Sequence, residues 1–334
     1  MRNHNIENRV ALCDREAEYV DLLTEYLNKN GNLPWKIYSY TDPGELIQSG
    51  VEQYDLLVVA ESAYDAERLP SDAHRIVILS ESGLRRWDNV TYVDKYQPAE
   101  VVRKELLQKY IELSEGYAPT LQKQYEAKRI GFFTPIRRCL QSTFAMTLGQ
   151  LLAEEHKVLY LSFEAFSGSV QMQADENTYD LADLLFFLGA DREKFALRLE
   201  VTTKRVGNLA YIPSMKVGQN LLGVTPAMWQ NLLQAIEDTG AYEYILLDLS
   251  DCVQGVFDIL QTCSKVLTLT AGDTAARAKL YRYEQLLEQY ECRAIAEKTE
   301  KINLPRLQNL PEDPTLLVGS ELAKVAQKYL NLCM

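Results

Sequence analysis

Short apolar runs alternate with amphipathic stretches along most of the chain. Residues 9–13 (RVALC), 54–60 (YDLLVVA) and 75–80 (RIVILS) are continuous apolar runs, the pattern of strands buried on both faces. Residues 35–40 (WKIYSY) alternate like a strand, and 89–95 (NVTYVDK) supply a fifth. Between the first two strands, helical spacing places Tyr19, Leu22, Leu23, Tyr26 and Leu27 on one face, with Gly31 as a stop signal. Thr41 or Asp42 caps a helix that opens with Pro43, and residues 98–116 form a closing helix. A polar stretch with Gly116 and Pro119 follows, read as a linker over 117–128. A second series of strands is expected at 129–133, 157–163, 209–214, 242–250, 265–271 and 292–298, with helices between them. Two of these helices carry clear faces. One has Met228, Leu232, Leu233 and Ile236 and stops at Gly240; the other has Ala276, Leu280, Tyr283 and Leu287. The expected fold is α/β, two doubly wound three-layer domains with mostly parallel sheets, at 1–116 and 129–334.

Composition narrows the function. At 334 residues and 47% apolar content, the chain can build two cores. No run approaches the roughly 18 apolar residues of a membrane span, and the polar opening is not a signal segment, so a cytoplasmic protein is expected. Formal net charge is −12, which argues against nucleic acid as a partner, since that binding leans on cationic contacts with phosphate. The six cysteines form no C-x-x-C pair and there are three histidines, so no zinc site or disulfide framework is expected. Cys13 and Cys139 read as small buried hydrophobes.

The first domain resembles the receiver domain of response regulators, a flavodoxin-like fold. Asp14 after strand one, Ser80 at the end of strand four and Lys95 after strand five match its acidic, hydroxyl and lysine positions. The phosphoacceptor aspartate, however, falls on Ala60, whose methyl cannot accept a phosphoryl group. The adjacent Glu61 should point to the other face of the strand. The reading is a receiver fold without phosphotransfer, with Asp14, Ser80 and Lys95 serving as caps and solvated surface groups.

The second domain resembles the MinD/ParA group of deviant P-loop ATPases, and within it the CpaE/TadZ branch, which joins a receiver-like domain to such an ATPase domain. That branch localises pilus or secretion machinery. The phosphate loop would be residues 134–145 (TPIRRCLQSTFA), where Thr134, Pro135, Ser142, Thr143 and Ala145 match the family pattern. The signature lysine falls on Ile136, three glycines fall on Arg137, Arg138 and Leu140, and the phosphate-gripping lysine falls on Gln141. Glycines allow backbone N–H groups to approach phosphate with positive φ, so bulky residues there are expected to hinder both. Asp248, ending an apolar run, matches the Walker B acid; Glu164 matches an acid after the second strand; Asp273 matches a loop near the nucleotide base. If nucleotide binding is retained, the resemblance implies Arg137, Arg138, Ser142, Thr143, Asp248 and Asp273 as contacts, and Ser142, Glu164 and Asp248 around magnesium. Arg137 and Arg138 could grip phosphate through their guanidinium forks, or lie as solvated or partner-contacting turn residues.

The leading expectation is a non-catalytic scaffold of the CpaE/TadZ type, with no cofactor and no enzymatic activity beyond weak ATP hydrolysis. Its partners would be proteins of a pilus, secretion or polar-localisation system. The alternatives are a weak ATPase or ATP–Mg2+ switch of the partitioning type, and a phosphorylation-independent signalling adaptor. Relatives dimerise across ATP with a lysine that Ile136 cannot replace, so a homodimer would use another surface. The resemblance allows recruitment to the inner face of the membrane or a cell pole. The amphipathic C-terminal helix carries only Lys324 and Lys328, too thin a basic face for direct membrane contact, and is expected to pack on its own domain.

Overall fold

The computed structural model describes residues 8–29, 35–69, 75–88, 90–113, 124–166 and 178–333. The expected stop at Gly31 and most of the linker, including Gly116 and Pro119, lie outside these residues. The chain forms two compact units, Met1–Leu121 with Ala196–Val201, and Gln122–Phe195 with Thr202–Met334.

In unit 1 the strands are β1 (Asn8–Cys13), β2 (Trp35–Tyr40), β3 (Leu56–Ala60), β4 (Ile76–Ser80) and β5 (Thr91–Asp94), in the order β2-β1-β3-β4-β5. All pairs are parallel. Side chains alternate between two cores, as strand geometry requires. Val10, Leu12, Leu56, Val58, Val77 and Leu79 face one core; Ala11, Cys13, Leu57, Val59, Ile76 and Ile78 face the other. The first core is closed by α1 (Ala17–Lys29) and later by α3 (Ala99–Leu113). The second is closed by α2 (Pro43–Gln48) and by partly buried aromatic residues including Tyr38, Tyr64 and Trp87. Asp42 caps α2, accepting from the backbone of Gly44 and Glu45. The face of α1 differs from the expectation: Val20, Leu23 and Leu27 are buried, whereas Leu22 is 61% exposed.

Unit 2 runs through β6 (Lys128–Phe132), α4 (Gln141–Leu152), β7 (Val158–Phe163) and α5 (Leu181–Ala190); α6 (Phe195–Thr202) follows, its residues 196–201 belonging to unit 1, and unit 2 resumes with β8 (Lys204–Val206), β9 (Leu209–Ile212) and α7 (Pro226–Asp238). It continues through β10 (Tyr244–Leu249), α8 (Val256–Thr262), β11 (Lys265–Thr270), α9 (Thr274–Gln289), α10 (Arg293–Glu297), β12 (Thr299–Asn303), α11 (Glu321–Ala326) and α12 (Leu330–Cys333). The sheet order is β12-β11-β6-β10-β7-β9-β8, and only β8 runs antiparallel to its neighbour. Helices cover both faces. Ile130 and Phe132 pack with α4 and the C-terminal segment, while Gly131 faces Leu260 and Cys263 from α8. This is a doubly wound α/β fold.

Three further expectations change. Residues 292–298 are not a strand: α10 occupies them and the edge strand is β12, whose only buried side chain is Ile302. In α7, Trp229 is buried in place of Met228, which is 42% exposed. Residues 196–201 cluster with unit 1, where Leu197 joins the core and Arg103 Nη1 pairs with Glu200 Oε1 at 2.7 Å. The C-terminal segment packs on its own unit through Leu322, Ala326 and Cys333. Among the described residues, no helix is long and apolar enough to cross a membrane.

Gly218 marks the tightest backbone approach: a Cβ there would sit 1.7 Å from the carbonyl oxygen of Ala165. A backbone oxygen cannot swing aside. Gly218→Ala should therefore destabilise the protein by about 1–3 kcal/mol, read as a lower urea midpoint.

Candidate functional site

In both units, polar residues gather at the carboxyl ends of the central strands, the crevice where doubly wound sheets bind ligands. In unit 1, β1 ends before Asp14 and β3 ends at Ala60, which is fully buried. Asp14 and Lys95 are buried as well, so the expectation that they are solvated surface groups is wrong. Lys95 Nζ lies 2.7 Å from Asp14 Oδ2 and 3.1 Å from both Glu16 Oε1 and Glu81 Oε1. Burial alone would lower the lysine pKa; the three carboxylates outweigh it and hold it above its ordinary value. Those carboxylates have ligand oxygens within 4.8 Å of one another, a spacing that could suit a metal ion. The ammonium sits among them, where a metal ion would otherwise have to sit.

Ser80 Oγ accepts from Gly83 N at 3.1 Å, so the hydroxyl shapes a turn in which Gly83 has φ 72°. Glu61 is also buried. Its carboxylate accepts from Glu81 N and Ser82 N, both at 2.9 Å, and from Ser82 Oγ at 2.6 Å. The Ser82 bonds and the neighbouring Arg86 hold its pKa down at about 2, against an opposing effect of burial.

In unit 2 a cavity of about 570 Å3 opens over the loop between β6 and α4. Arg137, Arg138, Ser142, Thr143 and Glu164 line it; Asp248 and Asp273 do not. Asp273 is instead the N-cap of α9, accepting from Ala276 N at 2.9 Å, so its expected place beside a nucleotide base is not supported by its position.

The loop overturns one expectation directly. Arg137, Arg138 and Leu140 adopt φ of 61°, 52° and 66°, the left-handed conformation that glycine takes most easily. Bulky side chains have not prevented the positive φ values, although each costs roughly 1–2 kcal/mol. The loop is held around that strain. Thr134 Oγ1 donates to Leu269 O at 2.7 Å and accepts from Ile136 N at 3.3 Å. Lys279 Nζ donates to Ile136 O at 3.3 Å, Arg137 pairs with Asp251, and Phe144 N donates to Leu140 O at 2.8 Å.

Beneath the loop, Gln141 reaches inward. Its Nε2 donates to Asp248 Oδ1 at 2.6 Å and to Leu249 O at 3.1 Å. Tyr160 OH donates to Asp248 Oδ2 at 2.7 Å, and Ser142 also bonds this carboxylate. Asp248 is fully buried, and burial raises its pKa despite those bonds. Burial likewise raises that of Glu164, with Asp248 adding to the effect. Magnesium coordinated directly by Asp248 does not fit this arrangement, because both oxygens are engaged and closed off. Sequence reasoning missed Tyr160, whose hydroxyl completes the network from β7. An aromatic inside an apolar run carries no signal that its polar tip meets an acid across the sheet.

No protein-family model matches the chain, and no curated protein matches it. Solved structures similar to it include a ParA family ATPase from Chlorobium tepidum TLS, at 17% identity and TM-score 0.48, covering 61% of this chain and 98% of that one. A plasmid partition protein from Borrelia burgdorferi shows 15% identity and TM-score 0.45 over 62% and 97% of the two chains. The MinC:MinD cell division protein complex of Aquifex aeolicus shows 17% identity and TM-score 0.40 over 54% and 69%. With TM-scores below one half, residues and chemistry have to be read from this chain itself.

Three variants probe the pockets. Lys95→Ala would strand the buried Asp14 carboxylate and should cost about 3–5 kcal/mol, while Asp14→Leu with Lys95→Met should cost less; urea unfolding compares these two with wild type. Arg138→Gly should relieve left-handed strain, offset in part by the freer unfolded chain. A net gain of about 0.5–1 kcal/mol is expected in the same assay.

Proposed function

We propose that this chain is a non-hydrolysing, two-unit scaffold whose work is to hold protein partners rather than to turn over a substrate. The observation that carries this reading is the 2.6 Å bond from Gln141 Nε2 to Asp248 Oδ1. It places a neutral amide where an active phosphate loop needs a cation, and it occupies the acid that would organise metal and water. Phosphoryl transfer depends on positive charge around the transferring group. Here the cavity wall carries three carboxylates, Glu164, Asp251 and Glu312, against two guanidinium groups, and Arg137 is already paired with Asp251. In unit 1 the equivalent deficit is Ala60. The resemblance to CpaE/TadZ proteins suggests pilus, secretion or polar-localisation machinery as the setting, with partners that are proteins.

A second reading is nucleotide binding without turnover. The left-handed backbone at Arg137, Arg138 and Leu140 favours it, because the loop retains a shape suited to presenting N–H groups to an anion. A signalling-adaptor role for unit 1 would also be independent of phosphate, and is best tested in the full chain because residues 196–201 belong to that unit.

Purified full-length protein should show no ATP hydrolysis that falls on Asp248→Ala; a rate that does so would end the scaffold reading. Calorimetry with ATP, with and without magnesium, separates the second reading from the first. Heat that disappears in Arg138→Ala supports binding without turnover, and no heat at millimolar nucleotide removes it.

A further inference from the structure

The end of β3 in unit 1 holds an arrangement that none of the readings above uses. Two successive backbone N–H groups, those of Glu81 and Ser82, converge on one oxygen of Glu61 at 2.9 Å each. The Ser82 hydroxyl donates to the other oxygen at 2.6 Å, and Arg86 Nε stands 3.4 Å from that same oxygen. Successive N–H groups in a turn, a hydroxyl and a guanidinium form a concave receptor for a small oxyanion. Ser80 Oγ and Gly83, with its φ of 72°, complete the turn that aims the N–H groups.

We propose that this turn is an oxyanion-binding site permanently occupied by the chain's own Glu61 carboxylate. Residue 60 presents only a methyl group at the strand end, so no covalently carried anion can form there. The next residue along supplies the charge, by bending its carboxylate under the following strand's loop rather than pointing it away. Lys95 meets the matching requirement for positive charge beside Asp14, Glu16 and Glu81. The anion and cation positions of the crevice are thus both filled from within, and the turn stays ordered without a ligand. What it presents outward is Leu84, 56% exposed, beside Arg85 and Arg86. Unit 1 therefore presents this face of the loop without needing an external anion.

Hydrogen exchange in the full-length protein tests the proposal, with acetate as the free carboxylate probe and chloride at equal ionic strength as the control. In Glu61→Ala the amides of Glu81 and Ser82 should exchange on the order of tenfold faster than in wild type. Acetate should restore most of that protection, chloride should not, and wild type should respond to neither. If Glu61→Ala fails to fold, Glu61→Gln takes the same test, with a smaller acceleration, roughly threefold, and recovery in acetate expected. Wild-type exchange rates in the variant, acceleration that acetate leaves unchanged, or equal recovery in chloride would each overturn the proposal.

Discussion

A carboxylate at the carboxyl end of a buried parallel strand must find partners inside the protein, because leaving it unpaired away from water costs several kcal/mol. Both sheets are organised around that constraint. In unit 1, Asp14 follows β1 and is answered by Lys95, while Glu61 follows β3 and is answered by a backbone turn. In unit 2, Asp248 near the end of β10 is answered by Gln141, Tyr160 and Ser142. In each case the partner comes from a different strand, helix or loop, so satisfying the acid also ties the elements around the crevice together.

That arrangement fills both crevices with the chain's own polar partners. A lysine or metal ion at such a position does two jobs: it neutralises a buried acid, and it acts on a ligand. Gln141 hydrogen-bonds the acid without neutralising it. Its amide spans to Asp248 and Leu249 and brings no positive charge of its own. Lys95, by contrast, engages three carboxylates at once. Removing one partner of such a network costs more than never having had the pair.

The loop at 137–140 shows the same logic in the backbone. Left-handed conformation at Arg137, Arg138 and Leu140 is strained, and strain persists only where the surroundings over-determine it. Thr134 ties the loop to Leu269 on β11, while Lys279 and Asp251 restrain it from α9 and the loop after β10. Glycine is thus the easy way to build this turn, and not the only one. An argument that large residues forbid the geometry fails because it weighs local preference alone, without the tertiary contacts that can exceed it.

Much of the architecture was legible because two-sided burial writes continuous apolar runs into the sequence, as at 56–60 and 76–80, and period two then divides each strand between two cores. Helix caps and stops with local chemistry, such as Asp42 and Gly240, were legible for the same reason. The edge strand β12 was not: an edge buries little, and TEKIN offers only Ile302 to the core. Nor was the burial of Asp14 and Lys95, the turn around Glu61, or the membership of residues 196–201 in unit 1. Sequence by itself determined the periodicities and the side chains that stand at the strand end and in the loop, such as Ala60, Ile136 and Gln141. Tertiary structure alone decided which polar groups meet and how the loop backbone turns, because those outcomes depend on partners such as Asp14 and Lys95, 81 positions apart in sequence, or Gln141 and Asp248, separated by 107.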